Sequence, residues 1–263
     1  MSALRAWYEV NGRHALPWRA TRDRWAVLVS EVMLHQTQVP RVAAAWPEFI
    51  ARFPTADAMA DAGPAAVITA WGRLGYPRRA RRLWESAVEI AANGWPHDLT
   101  ALPGVGRYTA TAVAVQADDA DEAAVEVNVR RVVERFVGHR LSPREAETAA
   151  LTIGRPLRGR DRLLALMDVG AQLCRARAPR CHECPLRRNC AARGPLSDER
   201  RSRQPAFEGS FRQRRGRVLA VLRGGPAEIA ALEDDALASL VSDGLAEIDE
   251  QRGVAQLPQP SHA

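Results

Sequence analysis

Leu102-Pro103-Gly104-Val105-Gly106-Arg107-Tyr108-Thr109-Ala110 is the stretch that decides how this chain is read. A Pro-Gly pair turns the backbone and a second glycine follows. An apolar helical pattern then runs through Ala112, Val113 and Val115. Glycines where a helix begins let the chain turn tightly and leave the first N–H groups bare. Those groups, at the positive end of the helix dipole, suit a phosphate, which makes Gly104, Gly106 and Arg107 candidate phosphate contacts. Many helices begin near a glycine. The surroundings give this one its weight: Glu31 upstream, Glu126 downstream, and four cysteines at Cys174, Cys181, Cys184 and Cys190.

A length of 263 residues holds one large or two modest domains with an ample core. No run of 18 apolar residues is present, so no membrane span is expected. The N-terminus lacks a basic region followed by an apolar core, so no secretory signal is expected and the chain is read as cytoplasmic. The net charge of +6 and pI near 9.8 favour polyanionic partners, although a solvated arginine-rich surface gives the same count. There is no lysine, so all 37 basic residues are arginines. Four cysteines between 174 and 190 of a cytoplasmic chain argue for a metal site rather than disulfides.

Leu4, Trp7 and Tyr8 mark an amphipathic first helix over 4–10. Leu16-Pro17-Trp18-Arg19 reads as extended, because proline restricts itself and its predecessor. Trp25 to Gln38 reads as one helix with Val29, Val32 and Met33 on its apolar side. Trp46, Phe49, Ile50 and Phe53 continue helically to Pro54. Short helices follow over 55–61, 64–73 and 78–93, between Gly63-Pro64, Gly75-Tyr76-Pro77 and Asn93-Gly94. No useful strand pattern precedes residue 210, so the first 195 residues are expected to be all-α. Residues 196–210 read as a linker of Gly, Pro, Ser and Arg. In the tail over 211–263, helices around Val218–Leu222, Ile229–Leu232 and Leu237–Leu245 and a hairpin of 247–249 with 254–257 suggest a small winged-helix-like module.

Six residues separate Cys174 from Cys181, two separate Cys181 from Cys184, and five separate Cys184 from Cys190. Four thiolates hold a 4Fe–4S cluster or a structural zinc ion. Zinc sites usually pair two short Cys–Cys units, and here only Cys181–Cys184 is short.

Taken together, the glycine hairpin with an acidic residue 18 positions past Tyr108, the run Ser30-Glu31-Val32-Met33-Leu34-His35-Gln36-Thr37-Gln38-Val39, Leu16-Pro17-Trp18-Arg19, Leu74-Gly75-Tyr76 and the cysteine spacing resemble the helix-hairpin-helix DNA glycosylases. Within them the chain most resembles the MutY-type adenine DNA glycosylases of the endonuclease III superfamily, over residues 1–195. The resemblance implies a two-lobed fold, with a six-helix lobe over about 22–126 and a cluster lobe from 1–21 and 127–195. It also implies a 4Fe–4S cluster on the four cysteines and a monomeric, nucleoid-associated enzyme acting on double-stranded DNA with a mismatch or lesion. The activity it implies is base-excision repair: removal of adenine mispaired with 8-oxoguanine or guanine.

The same resemblance assigns roles to residues. Glu31 is the acid that protonates adenine at N7, and its apolar setting suits it, since burial raises a carboxyl pKa. Glu126 stands where the family carries the carboxylate that stabilises the sugar cation. Asn128 belongs to the same constellation and is expected to cap the following helix. Tyr108 occupies the place where endonuclease III has a lysine that forms a Schiff base. Tyrosine cannot do this, so the enzyme is expected to be a monofunctional glycosylase with no lyase activity. Gln36, Thr37, Leu74 and Tyr76 match residues that handle the opposite base and fill the gap left in the stack.

Three departures bear on substrate. Glu126 replaces the usual Asp, which shifts the carboxylate by up to ~1.5 Å, one C–C bond. A misplacement of about 1 Å can cost roughly 10²-fold in rate. Val127 and His35 also depart from the family pattern. They keep open a glycosylase for another mismatched or modified base. A non-catalytic DNA-damage-binding protein is the alternative from another class, and two carboxylates at both catalytic positions speak against it.

Overall fold

The computed structural model describes residues 2–199 and 206–259. Among them are eleven helices and three short strands. The helices are α1 (Ala3–Asn11), α2 (Arg24–Leu34), α3 (Val39–Arg52), α4 (Ala56–Trp71), α5 (Arg78–Asn93), α6 (Arg107–Asp118), α7 (Val127–Val137), α8 (Pro143–Ile153), α9 (Gly159–Asp168), α10 (Phe211–Arg223) and α11 (Asp234–Ser242). The strands are β1 (Ala227–Glu228), β2 (Glu247–Asp249) and β3 (Val254–Gln256). The chain divides into two compact units, Met1–Glu31 with Gly106–Arg201 and Val32–Val105 with Ser202–Ala263. The cut runs after Glu31 and before Gly106, inside the span 22–126 that the resemblance gives to one lobe.

In the first unit, Leu4 and Tyr8 of α1, Ala112 and Val115 of α6, Val129, Val132 and Val133 of α7, and Leu163, Leu164 and Leu166 of α9 form one buried cluster. Ser142 caps α8 in a reciprocal box with Glu145, which satisfies two otherwise orphan amides. Asp168, fully buried at the end of α9, accepts from the Arg13 amide (2.8 Å) and Nε (2.6 Å) and from both terminal nitrogens of Arg19 (2.7 and 2.8 Å). These bonds fix the segment between α1 and α2. Pro17–Ala20 makes a 3₁₀ turn there rather than the extended run expected from the proline, with the Arg19 amide donating to the Leu16 carbonyl. After α9 the backbone widens into a π turn over Val169–Leu173 and leads directly into Cys174.

In the second unit, Phe49, Phe53 and Trp71 meet edge to face, with ring centroids 5.0 and 5.9 Å apart. The helix expected over Trp25–Gln38 stops at Leu34, because Gln36 takes a left-handed backbone (φ 56) and Gln38 is already the extended N-cap of α3. The helices expected over 55–61 and 64–73 run on through a kink at Gly63 (φ 77) and stop at Trp71. The C-terminal segment packs on this unit. Arg81 donates to the Gly244 carbonyl (3.0 Å), Arg223 donates to the Ile68 carbonyl (3.2 Å), and Arg78 pairs with Asp243 (3.5 Å). Its core is Val218, Leu219, Leu222, Leu237, Leu240 and Leu245. Ile229–Ala231 is a 3₁₀ turn rather than the expected second helix, and β1 joins the hairpin as a third antiparallel strand in the order β1-β3-β2. The stretch expected as a linker, 196–210, lies partly outside the described residues.

Candidate active site and cysteine loop

Glu31 sits two-thirds of the way along α2 and is 3 % exposed. The Gln116 side-chain amide donates to its Oε1 (2.7 Å) and the Tyr108 hydroxyl to its Oε2 (3.0 Å). Tyr108 and Gln116 lie eight residues apart on α6, two turns on one face, which aims both donors at a single carboxyl. Burial holds the Glu31 carboxyl above its ordinary pKa. The two donors pull it back, while the charge of Glu126 pushes it further up. Glu31 is thus poised to carry a proton. Tyr108 itself is pushed well above 10 by burial and by the Glu31 and Glu126 charges, so it stays a neutral phenol.

Glu126, not Asn128, caps α7. Its Oε1 accepts from the Val129 amide (2.9 Å), and its Oε2 accepts from the Asn128 amide (2.8 Å) and side-chain nitrogen (3.0 Å). Asn128 already lies within the first helical turn, so its side chain supports the capping carboxylate instead of serving as the cap. The longer Glu therefore still reaches the geometry that a shorter cap residue usually makes. Burial raises the Glu126 carboxyl, opposed by these donors and by Arg131. Val127 is 69 % exposed, so its side chain is free of the packed carboxylates.

Arg131 links this edge to the cysteine loop. One terminal nitrogen donates to Asn128 Oδ1 (2.6 Å) and to the Gly170 carbonyl (2.7 Å), and Nε donates to the Cys174 carbonyl (2.6 Å). Gly170 is required here by space: a Cβ would lie 2.6 Å from that of Asn128. Cys174, Cys181, Cys184 and Cys190 are free thiols that line one cavity together with Arg135, Arg187 and Arg193. Arg135 is buried, donates to the Arg175 carbonyl (2.8 Å), and lies 3.5 Å from Cys174 Sγ. Among the described residues no three His, Cys, Asp or Glu side chains converge on a point that one metal ion would fill.

The remaining candidate contacts fall in the other unit, apart from Gly106 and Arg107. Gly106 precedes α6 with open space around it, and Arg107 is exposed and pairs with Glu147 (2.9 Å). Gly104 has φ +77, and a Cβ there would meet that of Arg82 at 2.8 Å, so both conformation and space call for glycine. Gln36 is exposed. Thr37 is half-buried, and its hydroxyl donates to the Leu74 carbonyl (3.0 Å). Tyr76 is 40 % exposed in a left-handed conformation (φ 48). Leu74 is 4 % exposed, so its side chain belongs to the core and would have to leave it to enter a base stack. His35 is half-buried, and burial and the Arg79 charge lower its pKa, which keeps the ring neutral near pH 7.

Three residues central to this geometry escape a reading by motif: Gln116, Arg131 and Arg79. Gln116 carries a signal in retrospect, since it is a polar side chain in the otherwise apolar run Ala112–Ala117, in step with Tyr108. The two arginines are lost among 37.

Residues 29–156 match the family described as HhH-GPD superfamily base excision DNA repair protein. The adenine DNA glycosylase of Mycolicibacterium smegmatis is 44 % identical, over 93 % of this chain and 91 % of its own. That of Mycobacterium tuberculosis is 44 % identical over 92 % and 88 %. A solved thermostable thymine-DNA glycosylase superposes with a TM-score of 0.67 at 26 % identity, covering 73 % of this chain and 93 % of that one. A solved endonuclease III–DNA complex shares the fold, with a TM-score of 0.60 at 22 % identity. The chain belongs to the HhH-GPD superfamily of base-excision DNA repair proteins, in the family of the MutY-type adenine DNA glycosylases.

Proposed function

We propose that the chain is a monofunctional DNA glycosylase that hydrolyses the N-glycosidic bond of adenine mispaired with 8-oxoguanine or guanine. The observation that carries this reading is the buried Glu31 carboxyl, held between Tyr108 and Gln116 and facing the charge of Glu126. Glu31 donates a proton to the adenine ring as the C1′–N9 bond breaks, which leaves the base neutral. The Glu126 carboxylate, pinned by three donors at the start of α7, stabilises the positive charge that develops on the sugar. Water adds its oxygen to C1′, and its proton passes to the Glu31 carboxylate left by the first step, which restores the acid. The neutral Tyr108 and the absence of lysine support hydrolysis without a Schiff base.

The donor set of Cys174, Cys181, Cys184 and Cys190 fits a 4Fe–4S cluster. Four free thiols line one cavity, each able to take a different iron, with the Arg135, Arg187 and Arg193 cations around the anionic group. When bound, the cluster supplies a rigid, four-point closure of this loop. The partner is duplex DNA met by a monomer in the nucleoid, with Gly104, Gly106 and Arg107 toward phosphate and Gln36, Thr37 and Tyr76 toward the bases. Among the described residues no helix is long and apolar enough to cross a membrane.

A duplex with adenine opposite 8-oxoguanine should yield free adenine and an abasic site, and the strand should break only on alkali treatment. Borohydride should trap no protein–DNA adduct. Release of no base from that duplex, or efficient trapping, overturns the reading. Protein purified without oxygen should carry about four irons per chain, whereas stoichiometric zinc would reassign the cysteines.

A further inference from the structure

Arg79, the second residue of α5, is a half-buried cation held without an acid. Among the described residues it has no carboxylate partner, and five oxygens surround its two terminal nitrogens instead. One nitrogen donates to the carbonyls of Val32 (2.7 Å) and Met33 (2.9 Å), in the last turn of α2. The other donates to Thr37 Oγ1 (2.8 Å) and to the carbonyls of Leu74 (3.2 Å) and Gly75 (2.8 Å). Its Nε is buried and has no partner. The guanidinium also lies 5.0 Å from the Trp71 ring centre and 5.6 Å from that of Tyr76. Trp71 adds its own bond to the same turn, donating from Nε1 to the Gly75 carbonyl (3.0 Å).

The segments so joined are irregular and conformationally costly. Gln36 and Tyr76 both hold left-handed backbones that non-glycine residues seldom adopt and that persist only where the surroundings over-determine them. A planar fork with five donors can bind three separate pieces of backbone at once, which a lysine ammonium cannot. We propose that Arg79 is the positioning residue of base extrusion. It ties the end of α2, the 35–38 loop and the 72–76 turn into one rigid edge, so that Gln36, Thr37 and Tyr76 meet the duplex already arranged to hold the gap open. This rests on the glycosylase reading above and adds to it the device that sets the wedge.

A merely structural arginine and a positioning arginine differ in which DNA they matter for. Extruding a paired base costs a few kcal/mol, whereas an unopposed base costs little. The experiment compares single-turnover adenine release by the whole protein from two duplexes, one with adenine opposite 8-oxoguanine and one with the same adenine opposite a one-nucleotide gap. Arg79→Lys should slow release from the paired duplex by at least about tenfold and from the gapped duplex by no more than about threefold, because only the first needs the wedge. With 2-aminopurine in place of the target adenine, the fluorescence rise on binding the paired duplex should be lost as well. Should Arg79→Lys fail to fold, Trp71→Phe removes the bond to Gly75 while keeping an aromatic ring under the cation. It should show the same selectivity for the paired duplex at smaller size. Equal slowing on both duplexes, or no slowing on either, overturns the proposal while the glycosylase reading stands. If the unaltered protein releases adenine from neither duplex, the glycosylase reading falls first and the wedge with it.

Discussion

Two of the places where the molecule draws charge-bearing groups away from water handle them in opposite ways. At Glu31 the donors are a phenol and a side-chain amide, and at Glu126 the first amides of α7 and the Asn128 side chain; neither carboxyl has a cation at hydrogen-bond distance, and burial raises both pKa values. Around Arg79, a guanidinium is surrounded by carbonyls, and burial lowers its pKa only to about 10. The carboxyls have therefore been moved toward the pH range where protons exchange, while the arginine stays charged throughout it. A buried group whose charge can be switched serves chemistry, and one whose charge cannot be switched serves architecture.

The sharpest way to break this contrast is Glu31→Gln. An amide keeps the size and a hydrogen bond but cannot donate the proton, so adenine release should fall by about 10³-fold or more while duplex affinity is kept. The pH profile carries the sign. A raised carboxyl is protonated at low pH and loses its proton as pH rises through the folded value, so release by the native protein should fall on the alkaline side because of Glu31. Glu126 must be charged to act, and its raised pKa places its failure on the acid side. A rate that climbs steadily with pH would contradict the assignment of Glu31 as the acid.

How much of this was legible beforehand follows from what sequence patterns encode. The glycine hairpin, the carboxylates, the tyrosine in place of lysine and the cysteine spacing are local features, and each stands in the structure as a local feature. Long-range partners were not legible. Nothing in the sequence ties Gln116 to Glu31, 85 residues away, or Arg79 to the carbonyls of Val32 and Met33. Leu74 read as a wedge because its motif surrounds it, yet burial places its side chain in the core. The helix read as far as Gln38 ends at Leu34 because Gln36 adopts a left-handed backbone although it is not a glycine, and no composition rule predicts that. Asn128 was expected to cap α7 because asparagine is a favoured cap, but a glutamate two residues earlier reaches the same amides.

Glu126 offers a graded pair of tests. Glu126→Asn removes the charge and should slow release by about 10²-fold, the size typical of deleting one preorganised electrostatic contact. Glu126→Asp keeps both the charge and a good cap residue, so the melting temperature should hold within a few degrees and release should stay within about tenfold of native. If Asp is as damaging as Asn, the pocket is built around the longer side chain. The substrate panel should then be widened to other bases.

The smallest expected effect discriminates most finely between the two donors on Glu31. Tyr108→Phe and Gln116→Leu each delete one hydrogen bond to a buried carboxyl. Both donors stabilise the charged form, and losing either should raise the Glu31 pKa further and move the alkaline limb of the release profile to higher pH. Because the protonated acid is the active form, the plateau rate should change little, by about threefold or less for Gln116→Leu, where only orientation is lost. Tyr108→Phe should shift the limb the same way but lower the plateau more, since the phenol also lies within the field of the Glu126 charge. The effect thus separates into two readouts: the limb reports the proton on Glu31, and the plateau reports its placement. A limb that moves to lower pH in either variant would mean that the donor favours the neutral acid, and the charge logic drawn for this pocket would have to be reversed.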